Sequence, residues 1–273
     1  MACAGATDLA RSIQAAHGHT WLAVTPAPIQ SSLRCPRIVA PRVPDRSPSI
    51  VKILAIDCST EMCSVALWID GGVEQRLELA GQRHSDRLLP MVASLLEPAG
   101  VGLDQLDAIA VATGPGTFTG LRIAVSVAQG LAFGAGLPVI AVGTLDALAL
   151  GAQASRVVAC IDARMDQVYF GAFEIVDGLP EALIPVAVAT PGQLPPLPAG
   201  GDWIGAGNGF ERFAPRLAEA WPGLLRRLPE AVPEARHVAA IAACRMARGE
   251  MSAPDLVLPL YVRDRVALTT TER

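Results

Sequence analysis

The feature that most restricts the fold is a series of three short apolar runs. Residues 51–57 (VKILAID) form a continuous apolar run with β-branched residues, which is typical of a buried strand. Residues 63–70 alternate apolar and polar side chains after a short polar turn, and residues 73–80 follow a Gly-Gly turn. Together the three runs predict an antiparallel meander.

Helices and strands are predicted to alternate after this meander. Apolar residues spaced i, i+1, i+4, i+7 and i+8 from Leu88 indicate a helix, with Ser85 as its N-cap and Gly100 as its stop. A strand, a long apolar helix, a second strand and a helix capped by Thr144 are then predicted at 107–113, 118–135, 138–143 and 144–154.

A second series of the same kind begins at residue 156. It comprises strands at 156–162 and 167–176, a candidate strand at 181–189, a Pro/Gly-rich loop at 194–201, a strand with a Gly-rich turn at 202–210 and a last helix at 233–248. This order predicts an α/β fold of two duplicated subdomains with mixed sheets and a cleft between them. We assign 51–154 and 155–232 to the subdomains, and expect 233–273 to pack back on the body.

Residues 1–50 differ from the rest of the chain. They are rich in Pro, Ser, Ala and Arg, and lack both sustained periodicity and the pattern of a secretory signal. Lys52 is the chain's one lysine while arginine is abundant, a bias typical of GC-rich coding DNA, in which spurious upstream reading frames are common. We therefore expect translation to start at Val51, and residues 1–50 to be a mis-assigned start or a disordered extension.

Composition limits the partners and the redox chemistry. The formal net charge is −4 and no basic cluster is present, whereas a chain that holds RNA alone needs one. The Arg226–Arg227 pair is interpreted as a solvated face. The cysteines form no C-x-x-C pair; Cys58 and Cys63 flank the first predicted hairpin turn, and we interpret them as core residues.

Four stretches of the chain resemble one family. They are ILAIDCST (53–60), HSDRLLP (84–90), GPGTFTGLRIAVSVAQGLA (114–132) and PLYVRDRVA (259–267). They are similar to the TsaB family, in the superfamily of actin, Hsp70 chaperones and sugar kinases. GPGTFTGLR is shared with the larger catalytic relative TsaD. The resemblance covers about residues 51–267 and implies an actin-like (ASKHA) fold of two ribonuclease-H-like α/β subdomains.

In this superfamily the turn after the first strand directs a carboxylate toward Mg²⁺ and polar groups toward phosphate. The corresponding residues here would form a vestigial nucleotide cleft: Asp57, Ser59, Thr60, Gly114, Gly116 and Thr117. A structural interpretation competes, in which Asp57 caps its own hairpin turn, Thr117 is a helix N-cap and the glycines allow tight turns. The glycine cluster at 205–209 could approach an adenine or a ribose, although a loop is its default interpretation.

The run His84–Leu88 bears on catalysis. Two histidines four residues apart on a helix can chelate one metal ion, and TsaD is known for such a pair. Leu88 stands where the second ligand would be, so we predict no metal site and no catalytic residue. His84 is then a hydrogen-bonding residue at a helix start or an interface, and the resemblance argues against both carbamoyl transfer and metalloprotease activity.

The two helices near 84–97 and 118–135 carry more apolar side chains than one narrow stripe can hide. The resemblance implies that they pair with the equivalent helices of TsaD, although this protein's own sheet is an alternative cover. The predicted interface residues are His84, Leu88, Leu89, Met91, Val92, Leu95, Leu96, Phe118, Leu121, Arg122, Ala124, Val125 and Ala128. We expect Leu88→Arg or Ala124→Glu to break this contact while leaving the fold intact.

The resemblance implies a cytoplasmic, non-catalytic scaffold or activator for making N6-threonylcarbamoyladenosine in tRNAs that read codons beginning with A. It would form a heterodimer with TsaD, join the ATPase TsaE in a ternary complex, form a homodimer when alone, meet tRNA only through the complex and bind no membrane. It would need no cofactor of its own, because ATP and a metal are held by partner subunits. The alternatives are a small actin-like ATPase or kinase and a metalloprotease.

Overall fold

The two apolar series of the sequence form two five-stranded sheets in the computed structural model, which describes residues 50–263. The predictions for residues 1–49 and 264–273 lie outside the described residues. The first sheet has the strand order β3-β2-β1-β4-β5. Its strands are β1 (Lys52–Asp57), β2 (Met62–Ile69), β3 (Gly72–Leu79), β4 (Ala108–Gly114) and β5 (Val139–Gly143). The first three strands form the predicted antiparallel meander, and β1, β4 and β5 run parallel.

The second sheet repeats this topology. Its order is β10-β9-β6-β7-β8, with β6, β7 and β8 antiparallel and with β6, β9 and β10 parallel. Its strands are β6 (Arg156–Arg164), β7 (Gln167–Val176), β8 (Leu179–Ala189), β9 (Trp203–Ala206) and β10 (Leu224–Leu228). The predicted class, a duplicated α/β fold with mixed sheets, is confirmed.

Within residues 50–263, six helices cover the sheets: α1 (His84–Ala99), α2 (Phe118–Ala135), α3 (Thr144–Gly151), α4 (Gly209–Arg212), α5 (Ala214–Ala220) and α6 (Ala235–Ala247). Single 3-10 turns lie at Leu103–Gln105, Pro191–Gln193 and Pro254–Leu256. Helices α1 and α2 pack together on one face of the first sheet, and α6 packs on the other. Helix α3 packs on one face of the second sheet, whose other face is covered by α4 and α5.

Burial on both faces explains the unbroken apolar run of β1. Leu54 and Ile56 point toward α1 and α2, whereas Ile53 and Ala55 point toward α6. A strand that is covered on both sides has no solvent face on which polar residues are needed. The edge strand β3 is the opposite case, because most of its residues are exposed and it carries several polar side chains.

The two halves of the chain exchange one helix each. Helix α3 follows β5 of the first sheet but packs on the second, and α6 follows β10 of the second sheet but packs on the first. The two helices also contact each other, and Arg245 of α6 bridges to Asp146 of α3 at 3.1 Å.

Several predicted boundaries are wrong by a residue or more. Helix α1 begins at His84, so Ser85 is inside the helix and is not the N-cap. Thr144 is likewise the first residue of α3, after Gly143. The candidate strand at 181–189 is real and is part of β8. Strand β10 was not predicted, because exposed Arg226 and Arg227 occupy its centre and hide the strand pattern.

Helix α2 is long and apolar enough to cross a membrane by those two criteria alone. Its buried side chains, among them Leu121, Ala124 and Ala128, pack against the first sheet. The apolar composition of the helix is therefore explained in part by its place in the core.

Candidate partner-binding face and interdomain cleft

The structure corrects the predicted partner interface on α1 and α2. Ten of the thirteen predicted residues are buried in this chain's own core, where they pack against the first sheet or its turns. They are His84, Leu88, Met91, Val92, Leu95, Leu96, Leu121, Ala124, Val125 and Ala128. The alternative cover, this protein's own sheet, accounts for them. Leu88→Arg and Ala124→Glu would place a charge in the core, so the expectation that they leave the fold intact is wrong.

The other three predicted residues are exposed. Leu89 of α1 is 50% exposed and Phe118 of α2 is 49% exposed. Arg122 lies with its guanidinium carbon 3.8 Å from the centre of the Phe118 ring, and its Nε donates to the hydroxyl of Tyr261 at 3.0 Å. The two aromatic rings are 5.6 Å apart. These contacts order an aromatic and cationic cluster at the first turn of α2.

The outer side of α2 carries a row of small residues, but they are not the residues that were predicted. The predicted row of Ala124, Ala128 and Ala132 faces the sheet and is fully buried. The exposed row is Ser126, Gly130 and Gly134. A Cβ atom added at Gly130 or Gly134 would meet no atom within 4 Å. The same spacing of four residues occurs on both sides of the helix, and the sequence alone gives no means of choosing between them. We call the exposed residues of α1 and α2, centred on Leu89, Ser126 and Gly130, the helical face.

His84 is a buried hydrogen-bonding residue at the start of α1, as predicted. Its Nε2 lies 3.3 Å from the carbonyl oxygen of Met62. Leu88, one turn further along, is fully buried in the core. Among residues 50–263 no group of three or more His, Cys, Asp or Glu side chains is placed to hold a metal ion.

A cavity of about 940 Å³ lies between the two sheets. The first half contributes Ser59, Thr60, Gly116 and Thr117, all predicted cleft residues. The second half and the C-terminal segment contribute side chains that include Asp162, Asn208, Arg212 and Arg263. The cavity thus lies where the predicted cleft was expected.

Asp57 lies beneath this cavity and does not line it. Its side chain is 1% exposed, and its Oδ1 accepts hydrogen bonds from the amide and the hydroxyl of Ser59 at 2.8 and 2.6 Å. Its Oδ2 has no hydrogen-bond partner among residues 50–263. Burial raises the pKa of Asp57 to about 6, against the hydrogen bonds from Ser59, which lower it. Asp57 caps its own hairpin turn, as the structural interpretation held.

The glycine turn before α2 packs against the backbone of residues 58–60 of this chain. The Thr117 amide donates to the carbonyl oxygen of Ser59 at 2.7 Å, and the Thr117 hydroxyl lies 3.4 Å from the carbonyl oxygen of Cys58. A Cβ at Gly116 would stand 2.2 Å from the Ser59 oxygen, and one at Gly120 would stand 2.0 Å from the Cys58 oxygen. These glycines allow the helix to approach the 58–60 turn. Gly114, with φ of +126°, lies close to the carbonyl oxygen of Leu260 in the same way.

These residues do not fit a Mg²⁺-nucleotide, the ligand that the superfamily implies. The carboxylate expected to face the metal is buried and favours its proton at mildly acidic pH. The Thr117 amide expected to face phosphate is already bonded to Ser59. Thr117 is the N-cap residue of α2, yet its side chain makes no capping hydrogen bond.

Apart from Asn208 in the glycine cluster, the residues of the second half that line the cleft were not predicted from the sequence. Asp162 lies two residues before the end of the central strand β6, as Asp57 lies at the end of β1, and Ile-Asp precedes the turn in both. This repeated Ile-Asp pair could have identified Asp162 as a cleft residue from the sequence. The side chain of Asp162 lies 3.4 Å from that of Arg164 and 3.5 Å from that of Arg212.

The glycine cluster at 205–209 serves packing. Gly205 faces the ring of Phe210, and Gly207 and Gly209 face the backbone of Cys160. A Cβ at any of them would lie within 3 Å of those atoms. Asn208 between them accepts a hydrogen bond from the amide of Asp162 at 2.9 Å.

Two sheets of one topology, exchanged helices and a cleft between them define the actin-like (ASKHA) class of proteins. A family model described as TsaD, the tRNA N6-adenosine threonylcarbamoyltransferase, matches residues 71–269. An Escherichia coli relative, the tRNA threonylcarbamoyladenosine biosynthesis protein TsaB, is 39% identical over 226 residues, which is 80% of this chain and 96% of the relative. The crystal structure titled YeaZ from Pseudomonas aeruginosa is 40% identical with a TM-score of 0.73, covering 78% of this chain and all of that one. The chain belongs to the TsaB family.

Proposed function

We propose that the chain is an accessory, non-catalytic subunit for the formation of N6-threonylcarbamoyladenosine in tRNA, and that it acts by binding the catalytic subunit TsaD through the helical face. The name of the Escherichia coli relative supports the pathway. The match to the TsaD family model supports a partner of similar fold, against which related helices pair. In this proposal TsaE joins the complex, and ATP and the metal ion are bound by the partners in the cytoplasm.

The observation that carries the proposal is the composition of the helical face. Arg122 is the one charged residue of α2, so the rest of its outer side is apolar or small. Leu89 on α1 and Phe133 on α2 are both at least half exposed. The depletion of charge on α2 and the large apolar residues on both helices are typical of the core of a protein interface. Glycine and serine between them permit close approach of a partner helix, because interaxial distance depends on the side chains at the contact.

Two further observations favour an accessory role over an ATPase or kinase. Asp57, expected to face Mg²⁺, is buried with its Oδ1 bonded to Ser59, and the Thr117 amide, expected to face phosphate, is bonded to the Ser59 carbonyl oxygen. The net charge of −4 also disfavours independent binding of tRNA, because that binding depends on neutralised phosphates. Contact with tRNA therefore runs through the partner subunit in this proposal.

The test uses Gly130, where a new side chain meets open space. We expect Gly130→Arg to weaken binding to TsaD by about tenfold or more, because the arginine occupies the place of a partner helix and its charge is desolvated there. Gly130→Ala is the matched control and should bind within about twofold of the unchanged protein. Replacing glycine inside a helix also raises helix propensity, so neither change threatens the fold. Titration calorimetry with purified TsaD measures the affinities.

A second control places the same arginine elsewhere. Gly223 is also open to solvent but lies in the second half of the chain, so Gly223→Arg should leave binding to TsaD unchanged. In the absence of TsaD the unchanged protein should be a dimer by light scattering, and Gly130→Arg should be a monomer. Equal affinity of Gly130→Arg and Gly223→Arg for TsaD would contradict the assignment of the helical face.

A further inference from the structure

Two cysteine thiols lie side by side beneath α1. Strands β1 and β2 are antiparallel with Asp57 opposite Ser64, and this register continued by one residue places Cys58 opposite Cys63. The two sulfur atoms are 3.8 Å apart and both side chains are fully buried. Facing residues of antiparallel strands have Cα atoms about 4.5–5.5 Å apart, within the range that a disulfide needs. The sulfur atoms need only approach each other by about 2 Å to form a bond.

Cys63 is the more reactive of the two thiols. The hydrogen bond between the two sulfur atoms lowers the pKa of Cys63, and Arg87 also lowers it, against burial and the nearby carboxylates of Glu78 and Asp57, which raise it. That same hydrogen bond, together with burial, raises the pKa of Cys58. The thiolate is the nucleophilic form, and Cys63 is also the thiol that lies opposite Glu78 of the exposed edge strand, so Cys63 attacks and Cys58 resolves.

A partly exposed ion pair lies beside Cys63. Glu78 of β3 is opposite Cys63, and it binds Arg87 of α1 through two contacts of 2.5 and 2.7 Å. Glu78 and Arg87 line a surface groove of about 400 Å³ and are both partly exposed. Cys63 is therefore one residue away from solvent along the sheet.

We propose that Cys58 and Cys63 form a reversible disulfide when the protein meets hydrogen peroxide. The Cys63 thiolate attacks the peroxide, an S–O bond forms and the O–O bond breaks, and the leaving hydroxide takes the thiol proton as water. Cys58 then attacks the sulfenic sulfur, an S–S bond forms and the S–O bond breaks, and a second water leaves. Two thiols and one peroxide give one disulfide and two waters.

The disulfide would affect the cleft, because the turn that it closes contributes residues to the cavity wall. Ser59 and Thr60, between the two cysteines, line the cavity. The carbonyl oxygen of Cys58 also lies against Thr117 and Gly120 at the start of α2. A disulfide fixes the ends of this turn covalently.

The experiment follows one tryptic peptide. Cleavage after Lys52 and Arg76 gives peptide 53–76, which contains both cysteines. The folded protein is treated with hydrogen peroxide and denatured, and its free thiols are blocked with N-ethylmaleimide. It is then digested, and the mass of the peptide is measured by mass spectrometry. We expect the peptide to have lost two hydrogen atoms and to carry no maleimide, and reduction with dithiothreitol before blocking should restore two labels.

Controls separate pairing from general oxidation. Cys160 is equally buried but has no hydrogen-bonded thiol in the described part of the chain, so it should keep its label. Cys58→Ser should leave Cys63 as a sulfenic or sulfinic acid, and Cys63→Ser should slow oxidation of Cys58 at least tenfold. Both maleimide labels remaining on peptide 53–76, at a peroxide dose that oxidises half of the partly exposed Cys244, would overturn the proposal.

Discussion

The carboxyl group of Asp57 shows how burial decides the chemistry of a single residue. Its position after a buried strand matches that of metal-binding carboxylates in actin-like proteins, yet the Ser59 amide and hydroxyl occupy one oxygen and the other has no partner. A buried carboxyl group with so few donors favours its neutral form. In this chain Asp57 caps a turn. Its protonation therefore changes the free energy of unfolding.

This gives a pH prediction for Asp57→Asn. The folded-state pKa of Asp57 is about 6 and the ordinary value is 3.8, so the folded state holds the proton more tightly. The stabilisation is fully present below about pH 4 and is lost as pH rises through 6, a change of about 3 kcal/mol. Asparagine does not titrate, so unfolding by urea at pH 4 to 7 should show the unchanged protein losing stability relative to the variant. A difference that stays constant over this range would contradict the prediction.

At the scale of elements, α2 combines two roles on opposite sides. Its inner side, with Ala124 and Ala128, packs on the first sheet. Its first turns press against the backbone of residues 58–60, and its outer side carries the exposed row of Ser126, Gly130 and Gly134. The glycines of α2 therefore have different structural roles, and the same substitution should change the stability of the protein differently at each.

The matched pair is Gly120→Ala and Gly134→Ala. A Cβ at Gly120 would stand 2.0 Å from the Cys58 carbonyl oxygen, so the helix must move from the turn. We expect a loss of about 1–3 kcal/mol in unfolding free energy, despite the better helix propensity of alanine. A Cβ at Gly134 meets nothing within 4 Å, so that variant should gain up to about 1 kcal/mol. Urea denaturation measures both, and effects of the same sign would contradict this account.

At the scale of the whole molecule, the exchange of α3 and α6 ties the two halves into one folding unit. The first sheet has one face covered by a helix that the chain reaches only after completing the second sheet. Either half alone would expose an apolar sheet face. We therefore expect residues 50–263 to unfold in a single cooperative transition.

Arg245→Ala tests this coupling. Arg245 binds Asp146 across the α3–α6 contact and also donates to the carbonyl oxygen of Ala141. Its removal takes the charged partner from the largely buried Asp146 carboxylate and a donor from the Ala141 carbonyl oxygen, at a cost of about 1–3 kcal/mol. Circular dichroism and the fluorescence of Trp68, Trp203 and Trp221 should shift together. Exposed Arg248 at the end of the same helix is the control, and its alanine variant should be nearly neutral. Separate transitions for the two probes would refute the coupling.

The sequence specified the strands and the duplicated class well, because those patterns are local. The run Ile53–Asp57 needs only its own composition to indicate a strand that is covered on both faces. The polar 58–62 turn and the Gly71–Gly72 turn likewise act over a few residues. The match of GPGTFTGLR to a known family rests on nine consecutive residues. Strand β10 escaped detection because its central arginines face solvent on an exposed stretch near the edge of the sheet.

Which side of each helix faces outward was decided by tertiary packing. Both sides of α2 carry small or apolar residues at a spacing of four, and the side given to the sheet depends on where β1 and β4 lie. The same holds for the cleft, since the carbonyl of Ser59 reaches the Thr117 amide across 58 residues of sequence. The local sequence pattern shows which side chains a segment could bury. Long-range contacts determine which of them are buried, so only the tertiary structure distinguishes a binding surface from a core.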